Sequence, residues 1–146
     1  MRFLDVYLLL KKFKAFCERR KGWEAGEEGE WVRDHEGYRA IIWGRSLAPC
    51  TFHSMVNNGK ISIRRGDFWR VERVKLMIFI SEHLPDQLLS EVESSRELRG
   101  RAVLYDLARG LRAGGGDHVS AELENFMSKE GGIVFRRLEE REMEAI

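Results

Sequence analysis

Apolar residues recur at helical spacing along the first twenty residues of the chain. The apolar stripe contains Phe3, Val6, Tyr7, Leu10, Phe13 and Cys17, and Gly22 follows it as a stop signal. The polar side contains Lys11, Lys12, Lys14, Arg19, Arg20 and Lys21. We interpret residues 1–22 as an amphipathic helix with solvated cations, in preference to a phosphate-touching or membrane-surface helix. Its broad apolar face also suits a dimer contact.

A short amphipathic pattern begins near residue 51. Phe52, Met55 and Val56 fall at positions i, i+3 and i+4, which predicts a two-turn helix with one apolar face. Thr51 is expected to cap its first turn, and Gly59 to end it in the left-handed conformation.

The pattern then changes to period two. Ile61 and Ile63 alternate with polar residues, and Arg65-Gly66-Asp67 is typical of a tight turn. Phe68 to Val71 resumes an aromatic and β-branched run, so the stretch predicts a β-hairpin. We expect Trp69 to anchor this hairpin on the following helix, in preference to stacking on a base.

Residues 72–84 again carry apolar side chains at helical spacing, which predicts a long helix after the hairpin. A short helix, a hairpin and a long helix is the order found in a winged helix-turn-helix. Between Gly59 and Lys75 there are six cations and two anions, a local charge of +4. Positive charge is thus concentrated where phosphates would lie.

Residues 41–84 resemble the excisionase and MerR-type winged helix-turn-helix domains. The matching positions are Thr51, Met55, Val56, Gly59-Lys60-Ile61, Arg64-Arg65-Gly66, Trp69-Arg70-Val71 and Leu76. The aromatic and basic pair usual in that family is replaced by His53-Ser54. The resemblance implies a transcription regulator or a recombination accessory factor that acts as a dimer.

The segment before this core is acidic. Residues 24–36 contain six anions and one cation, with Gly26 and Gly29 among them, and we interpret 23–37 as a solvated linker in preference to an acidic lure for a basic partner. The turn residues Asp34 to Gly37 favour a hairpin, whereas the winged fold requires a helix at Tyr38 to Arg45. Both interpretations of that stretch stay open.

The C-terminal part, residues 85–146, is predicted to be a helical extension. Helical patterns run from Asp86 to about Glu97 and from Leu98 to Leu111, and a third helix capped by Asp117 or Ser120 follows the linker Gly114-Gly115-Gly116. Residues 133–135 form a possible strand, and a charged helical tail ends the chain. From Asp117 onward eight anions oppose four cations, so we do not expect this part to lie on DNA.

Taken together, these patterns predict a mainly α protein with a small β-hairpin (α+β). Its centre is a winged helix-turn-helix-like core at residues 38–84, with helical extensions at both ends.

Overall charge and cysteine content change this picture little. The 146 residues include 25 Lys and Arg and 24 Asp and Glu, a formal charge of +1, so only local patches can attract nucleic acid. Two cysteines do not make a disulfide framework, and the apolar run at residues 3–10 is too short for a signal peptide or a membrane span. A cytoplasmic location is expected.

Side chains able to perform chemistry form no recognisable motif. The four histidines lack metal-ligand spacing, no glycine-rich phosphate cradle opens a helix, and no nucleophile signature is present. His35 between Asp34 and Glu36 is interpreted as a surface turn rather than a hydrolytic site. We therefore predict no enzymatic activity, no cofactor and no metal.

The leading hypothesis is a DNA-binding protein with double-stranded DNA as its partner, and a homodimer is expected. The candidate DNA-binding residues are Thr51, His53, Ser54, Asn57 and Asn58 on the short helix and Lys60, Arg64, Arg65 and Arg70 on the hairpin. The alternative is a helical interaction or oligomerisation protein that does not bind nucleic acid, and a nuclease is a distant third. The sequence does not distinguish a double-stranded from a single-stranded ligand.

Overall fold

The computed structural model describes residues 3–27, 30–33 and 39–139. The elements in chain order are α1 (Phe3–Glu18), β1 (Trp23–Ala25), β2 (Glu30–Arg33), β3 (Arg39–Gly44), α2 (Pro49–Asn58), β4 (Lys60–Arg65), β5 (Phe68–Arg73), β6 (Leu76–Ser81), α3 (Asp86–Ser94), α4 (Arg96–Arg99), β7 (Ala102–Asp106), β8 (Leu111–Ala113), α5 (His118–Gly131) and β9 (Arg136–Arg137).

A seven-stranded mixed sheet forms the centre of the fold. Its strand order is β1-β2-β3-β6-β7-β8-β9, and β4 and β5 form a separate two-stranded sheet. Strands β3, β6 and β7 are parallel neighbours, which requires crossover connections. The first crossover carries α2 and the β4–β5 pair, and the second carries α3 and α4.

Both faces of the sheet are covered. Met77 and Phe79 of β6 belong to a hydrophobic cluster with residues of α2, β4 and α3. Ile78 and Ile80 belong to the cluster on the opposite face, which includes residues of α1 and α5. Because successive strand residues point to opposite faces, a strand covered on both sides needs an uninterrupted apolar run.

The prediction of a mainly α protein with a winged helix-turn-helix-like core is wrong. The chain is an α/β protein with a seven-stranded mixed sheet and a hairpin. Residues 72–84, expected to form a helix, contain the end of β5 and strand β6. Residues 98–111, also expected to form a helix, contain the end of α4 and strand β7. Short buried apolar runs satisfy a helical spacing and a strand equally well, and the parallel sheet decided the outcome here.

Several local expectations are corrected as well. Helix α2 begins at Pro49 after the N-cap residue Ala48, so Thr51 does not cap it. Proline suits the first helical position because its missing N–H would have no helical partner there. The open question at Tyr38 to Arg45 is resolved as strand β3, Arg39–Gly44. Ile133 to Phe135 is not a strand, since β9 contains Arg136 and Arg137.

Other local expectations are confirmed. Helix α2 ends at Gly59, whose φ of 63° is in the left-handed region. The hairpin forms around Gly66, and Asp117 caps α5.

Two further expectations are wrong. The solvated linker expected at residues 23–37 contains strands β1 and β2, which Trp23–Ala25 and Glu30–Arg33 form. The tail from residue 136 onward, expected to be helical, begins with the two residues of strand β9. The expected turn at residues 34–37 with His35 and residues 140–146 of the tail lie outside the described residues.

Among the described helices, none combines the length and the apolar character that crossing a membrane requires.

Candidate nucleic-acid interface

Strands β4 and β5 form a two-stranded antiparallel ribbon, which we call the ribbon. Its turn contains Gly66 and Asp67, and the pairing runs from Arg65 opposite Phe68 to Lys60 opposite Arg73. Gly66 has a φ of 60°, a conformation that glycine adopts without a steric penalty. Since directly opposed residues share a face, this register divides the ribbon into two faces of different composition.

The outer face of the ribbon is exposed at all six positions. These positions are Lys60, Ser62, Arg64, Trp69, Val71 and Arg73. Three of the six side chains are cations and none is an anion. Lys60 lies directly opposite Arg73, and neither forms an ion pair with a described residue. Like charges in opposed positions destabilise a ribbon, so this arrangement is not explained by stability of the fold.

Exposed apolar side chains accompany these cations. The exposed fractions are 81% for Phe68, 61% for Trp69 and 61% for Val71. The guanidinium carbon of Arg64 lies 5.5 Å from the ring centre of Trp69, a cation–π contact between opposed residues of the two strands. The expectation that Trp69 anchors the ribbon on a following helix is therefore wrong. Ile61 and Ile63 are buried and attach the ribbon to the sheet instead.

The inner face of the ribbon meets the acidic edge of the sheet near its turn. Arg70 forms ion pairs with Glu24 of β1 and with Glu72, and the Nε of Arg65 donates a hydrogen bond of 3.0 Å to the carbonyl oxygen of Ala25. Two of the cations proposed for DNA binding are thus engaged within the protein. The acidic segment neutralises much of the inner face, and the outer face keeps a net positive charge.

Glu27 adds a contact at the turn itself. Its Oε1 accepts a hydrogen bond of 2.5 Å from the backbone N–H of Gly66, and its Oε2 lies 3.7 Å from Nε of Arg64. The backbone N–H of Glu27 also donates to the carbonyl oxygen of Arg64 over 3.1 Å. Glu27 therefore competes with any external anion for Arg64, the outer-face cation nearest the turn.

Helix α2 lies in the same outer layer as the ribbon. Phe52 and Val56 of α2 belong to the same buried cluster as Ile61 and Ile63, so both elements cover one side of the sheet. The opposite side of α2 exposes Thr51, Ser54, Asn57 and Asn58. His53 differs from these, because its Nε2 lies 3.2 Å from Oε2 of Glu91 on α3. The structure therefore brings the helix candidates and the ribbon candidates to one side of the molecule.

Sequence reasoning missed three features of this surface: the outward position of Arg73, the exposure of the Phe68 and Trp69 rings, and the contact with β1. The outward position of Arg73 could have been predicted, since a two-residue turn at Gly66-Asp67 fixes the register and places Arg73 opposite Lys60. The exposure of the rings and the contact with β1 had no sequence signal. They depend on where the ribbon lies against the sheet.

Other reactive side chains have structural partners. Asp106 is fully buried at the end of β7 and accepts hydrogen bonds from the backbone N–H groups of Leu84 and Arg109 and from the Arg109 guanidinium. Burial raises the pKa of the Cys17 thiol to about 12, so it is not a thiolate at neutral pH. Within residues 3–27, 30–33 and 39–139, no group of three or more His, Cys, Asp or Glu side chains is arranged to hold a metal ion.

Neither a protein-family model, nor a curated protein, nor a solved structure matches this chain.

Proposed function

We propose that this protein binds DNA through the outer face of the ribbon. The observation that carries the proposal is the composition of that face, where Lys60, Arg64 and Arg73 are the charged side chains and Arg64 lies over the ring of Trp69. Phosphate contacts supply most of the affinity of nucleic-acid-binding proteins, and a two-stranded ribbon is narrow enough to enter a major groove. The ribbon replaces the recognition helix as the principal contact.

Helix α2 contributes the second part of the proposed interface. Hydroxyl and amide side chains can contact phosphates and base edges. The exposed side of α2 carries four such side chains, Thr51, Ser54, Asn57 and Asn58. Arg65 and Arg70 become available to phosphates only if the strand β1 contacts are released. We further propose that the protein is a cytoplasmic transcription regulator or recombination accessory factor. In this proposal it acts as a dimer and performs no catalytic step.

A salt series with a fluorescently labelled DNA tests the proposal, with the DNA supplied both as duplex and as single strand. Affinity is expected to fall with salt. Arg64→Ala should weaken binding and reduce the slope of log K against log salt by about 0.9 for the duplex and about 0.7 for the single strand. Arg19→Ala is the matched control, because Arg19 is an exposed arginine after α1 whose Nε bonds only to the Ala15 carbonyl oxygen. Failure of both DNA forms to bind at low salt would refute the proposal.

The second candidate function is a protein interaction without nucleic acid. The exposed side chains of Trp69 and Val71, which are neighbours on the outer face, favour it, because contiguous apolar surface often marks a protein contact. For this candidate, sedimentation of the wild-type chain would reveal an oligomer that Trp69→Ala dissociates and that salt does not weaken. A monomer with salt-sensitive DNA binding would favour the first candidate.

A further inference from the structure

The aromatic side chains of the ribbon distinguish between two forms of nucleic acid. Cations on a ribbon suit any polyanion, because phosphate attraction does not depend on strand number. Exposed rings are different, since they gain by stacking on the face of a base. In a duplex those faces are covered by neighbouring base pairs, and exposing one requires unstacking that costs a few kcal/mol. An unpaired strand presents its bases at much lower cost.

The ring of Trp69 is arranged for such stacking. Its neighbour across the ribbon is Arg64, whose guanidinium lies over the ring at 5.5 Å, and 61% of the residue is still exposed. The contact with Arg64 restricts the orientation of the ring before a ligand arrives, so less conformational freedom is lost on binding. Lys60 and Arg73 lie farther along the same face, where they can follow the backbone of a strand that passes the ring.

A cavity of about 340 Å³ opens on the inner side of the ribbon, and it is lined by Glu24, Ile63, Arg65, Phe68, Trp69 and Arg70. Arg65 and Phe68 form one opposed pair of the ribbon, and Ile63 and Arg70 form another. Both pairs lie on the face opposite that of the outer cations, because successive strand residues alternate between faces. The cavity is therefore separate from the exposed ring surface that Trp69 presents on the outer face.

We infer that the ligand of the ribbon is single-stranded nucleic acid, with a base stacked on Trp69 and the phosphates of the same strand on Lys60, Arg64 and Arg73. This inference rests on the proposed function and specifies its ligand. Positively charged grooves with stacking aromatics are the general solution for binding single strands, and base stacking tolerates different sequences.

The test compares three labelled oligonucleotides of about ten nucleotides, within the site sizes of single-strand-binding folds. They are a single strand, the same strand annealed to its complement, and an abasic single strand that keeps the phosphates. The single strand is expected to bind most tightly. Trp69→Ala should weaken its binding by about 5- to 100-fold and change duplex and abasic binding by less than about twofold.

Val71→Ala is the matched control, because Val71 lies on the same face with the same exposed fraction of 61% and has no ring. Trp69→Phe keeps a ring and should restore most of the affinity that Trp69→Ala loses. Of the other three tryptophans, Trp31 and Trp43 are buried, and Trp23 is partly buried against the cluster on the opposite face of the sheet. Loss of oligonucleotide-induced fluorescence quenching in Trp69→Phe would therefore report on residue 69. Circular dichroism of each variant verifies folding.

Each outcome has a separate meaning. Duplex binding as tight as single-strand binding, or equal loss in Trp69→Ala and Val71→Ala, would overturn the single-strand inference and leave DNA binding by the ribbon intact. If the abasic strand binds as tightly as the intact single strand, the single-strand inference is overturned in the same way. Absence of binding to all three oligonucleotides would refute the proposed function itself.

Discussion

Strands β5 and β6 follow each other in the chain and differ in almost every structural respect. Both have six residues, and only Val74 and Lys75 separate them. Strand β6 lies between two parallel neighbours and has helices over both faces, so five of its six residues are buried. Strand β5 pairs with β4 alone in the described structure, and none of its residues is buried.

Their apolar residues therefore have different roles. In β6 the large side chains stabilise the sheet, because each one removes apolar area from water. In β5 Phe68, Trp69 and Val71 contribute little burial, so they are available to the ligand that we propose. The difference shows that the number of covered faces, and not the residue type, decides how much an aromatic side chain contributes to stability.

The largest effect on the free energy of unfolding is expected from removing one aromatic ring of β6. Phe79 is almost fully buried, and its ring meets Phe52 of α2 edge-on at 5.3 Å. Phe79→Ala should lower the free energy of unfolding by about 3–5 kcal/mol, since it leaves a cavity between sheet and helix. Trp69→Ala on β5 should change it by less than about 0.5 kcal/mol. Urea unfolding of both variants measures the contrast, and equal losses would contradict it.

A double variant of the ribbon should weaken binding without loss of stability, the opposite of what we expect for Phe79→Ala. Lys60→Ala with Arg73→Ala removes two opposed cations, and the slope of log K against log salt for single-stranded DNA should decrease by about 1.4. Unfolding stability should stay the same or rise by up to about 1 kcal/mol, because the like-charge opposition is relieved. A lower stability with unchanged salt dependence would show that these cations support the fold.

Ion pairs extend the comparison from apolar to charged residues. In the body of the protein, Arg39 of β3 pairs with Asp117, the capping residue of α5. Burial acts to raise the pKa of Asp117, but hydrogen bonds from Arg39 and from the backbone N–H groups of Ser120 and Val119 hold it below its ordinary value. The stability from a lowered carboxyl pKa is complete above about pH 4 and is lost as pH falls through the folded-state pKa.

Asp117→Asn should therefore cost about 1 kcal/mol of unfolding free energy at neutral pH and less at acidic pH. Asparagine also caps helices well, so this variant removes the ion pair while the cap is retained. Asp117→Ala removes both and should cost more. Urea unfolding between pH 2 and 7 measures the difference in unfolding free energy between wild type and Asp117→Asn. A difference that stays constant over this range would contradict the argument.

The smallest effect is expected at the edge of the ribbon, where Glu24 and Glu27 contact its arginines. These pairs are partly exposed, and each contributes about 0.2–1 kcal/mol. Glu24→Gln with Glu27→Gln should leave stability nearly unchanged and tighten DNA binding by about two- to fivefold, because Arg64 and Arg70 lose competing carboxylates. Glu122→Gln, on the opposite side of the sheet, is the control. Weaker binding of the double variant would show that the carboxylates position these arginines for the ligand.

The parts of the fold that could be predicted from the sequence are those with a local cause. Gly59 ends α2, Gly66 allows the ribbon turn and Asp117 caps α5, and each depends on the conformation or hydrogen bonds of a few adjacent residues. The alternation of Ile61 and Ile63 likewise predicted the buried side of β4. The cations at Lys60 and Arg64 were predicted as site residues on the same local pattern.

The winged helix-turn-helix prediction was wrong because its third element depended on packing. Residues 76–80 are uninterrupted apolar residues, and a buried strand and a buried helix both satisfy such a run. Only the parallel pairing of β6 with β3 and β7 distinguishes the two. The same uncertainty affected residues 98–111, where β7 lies in the middle of the sheet.

By itself, the sequence determined the ribbon, the helix before it and the concentration of positive charge on the ribbon, because turns, caps and charge are properties of neighbouring residues. Tertiary structure alone decided that β6 is a sheet strand, that Glu24 and Glu27 neutralise part of the ribbon, and that Trp69 is exposed beside Arg64. Such contacts join segments distant in the chain, and their strength depends on which faces the packing leaves in water.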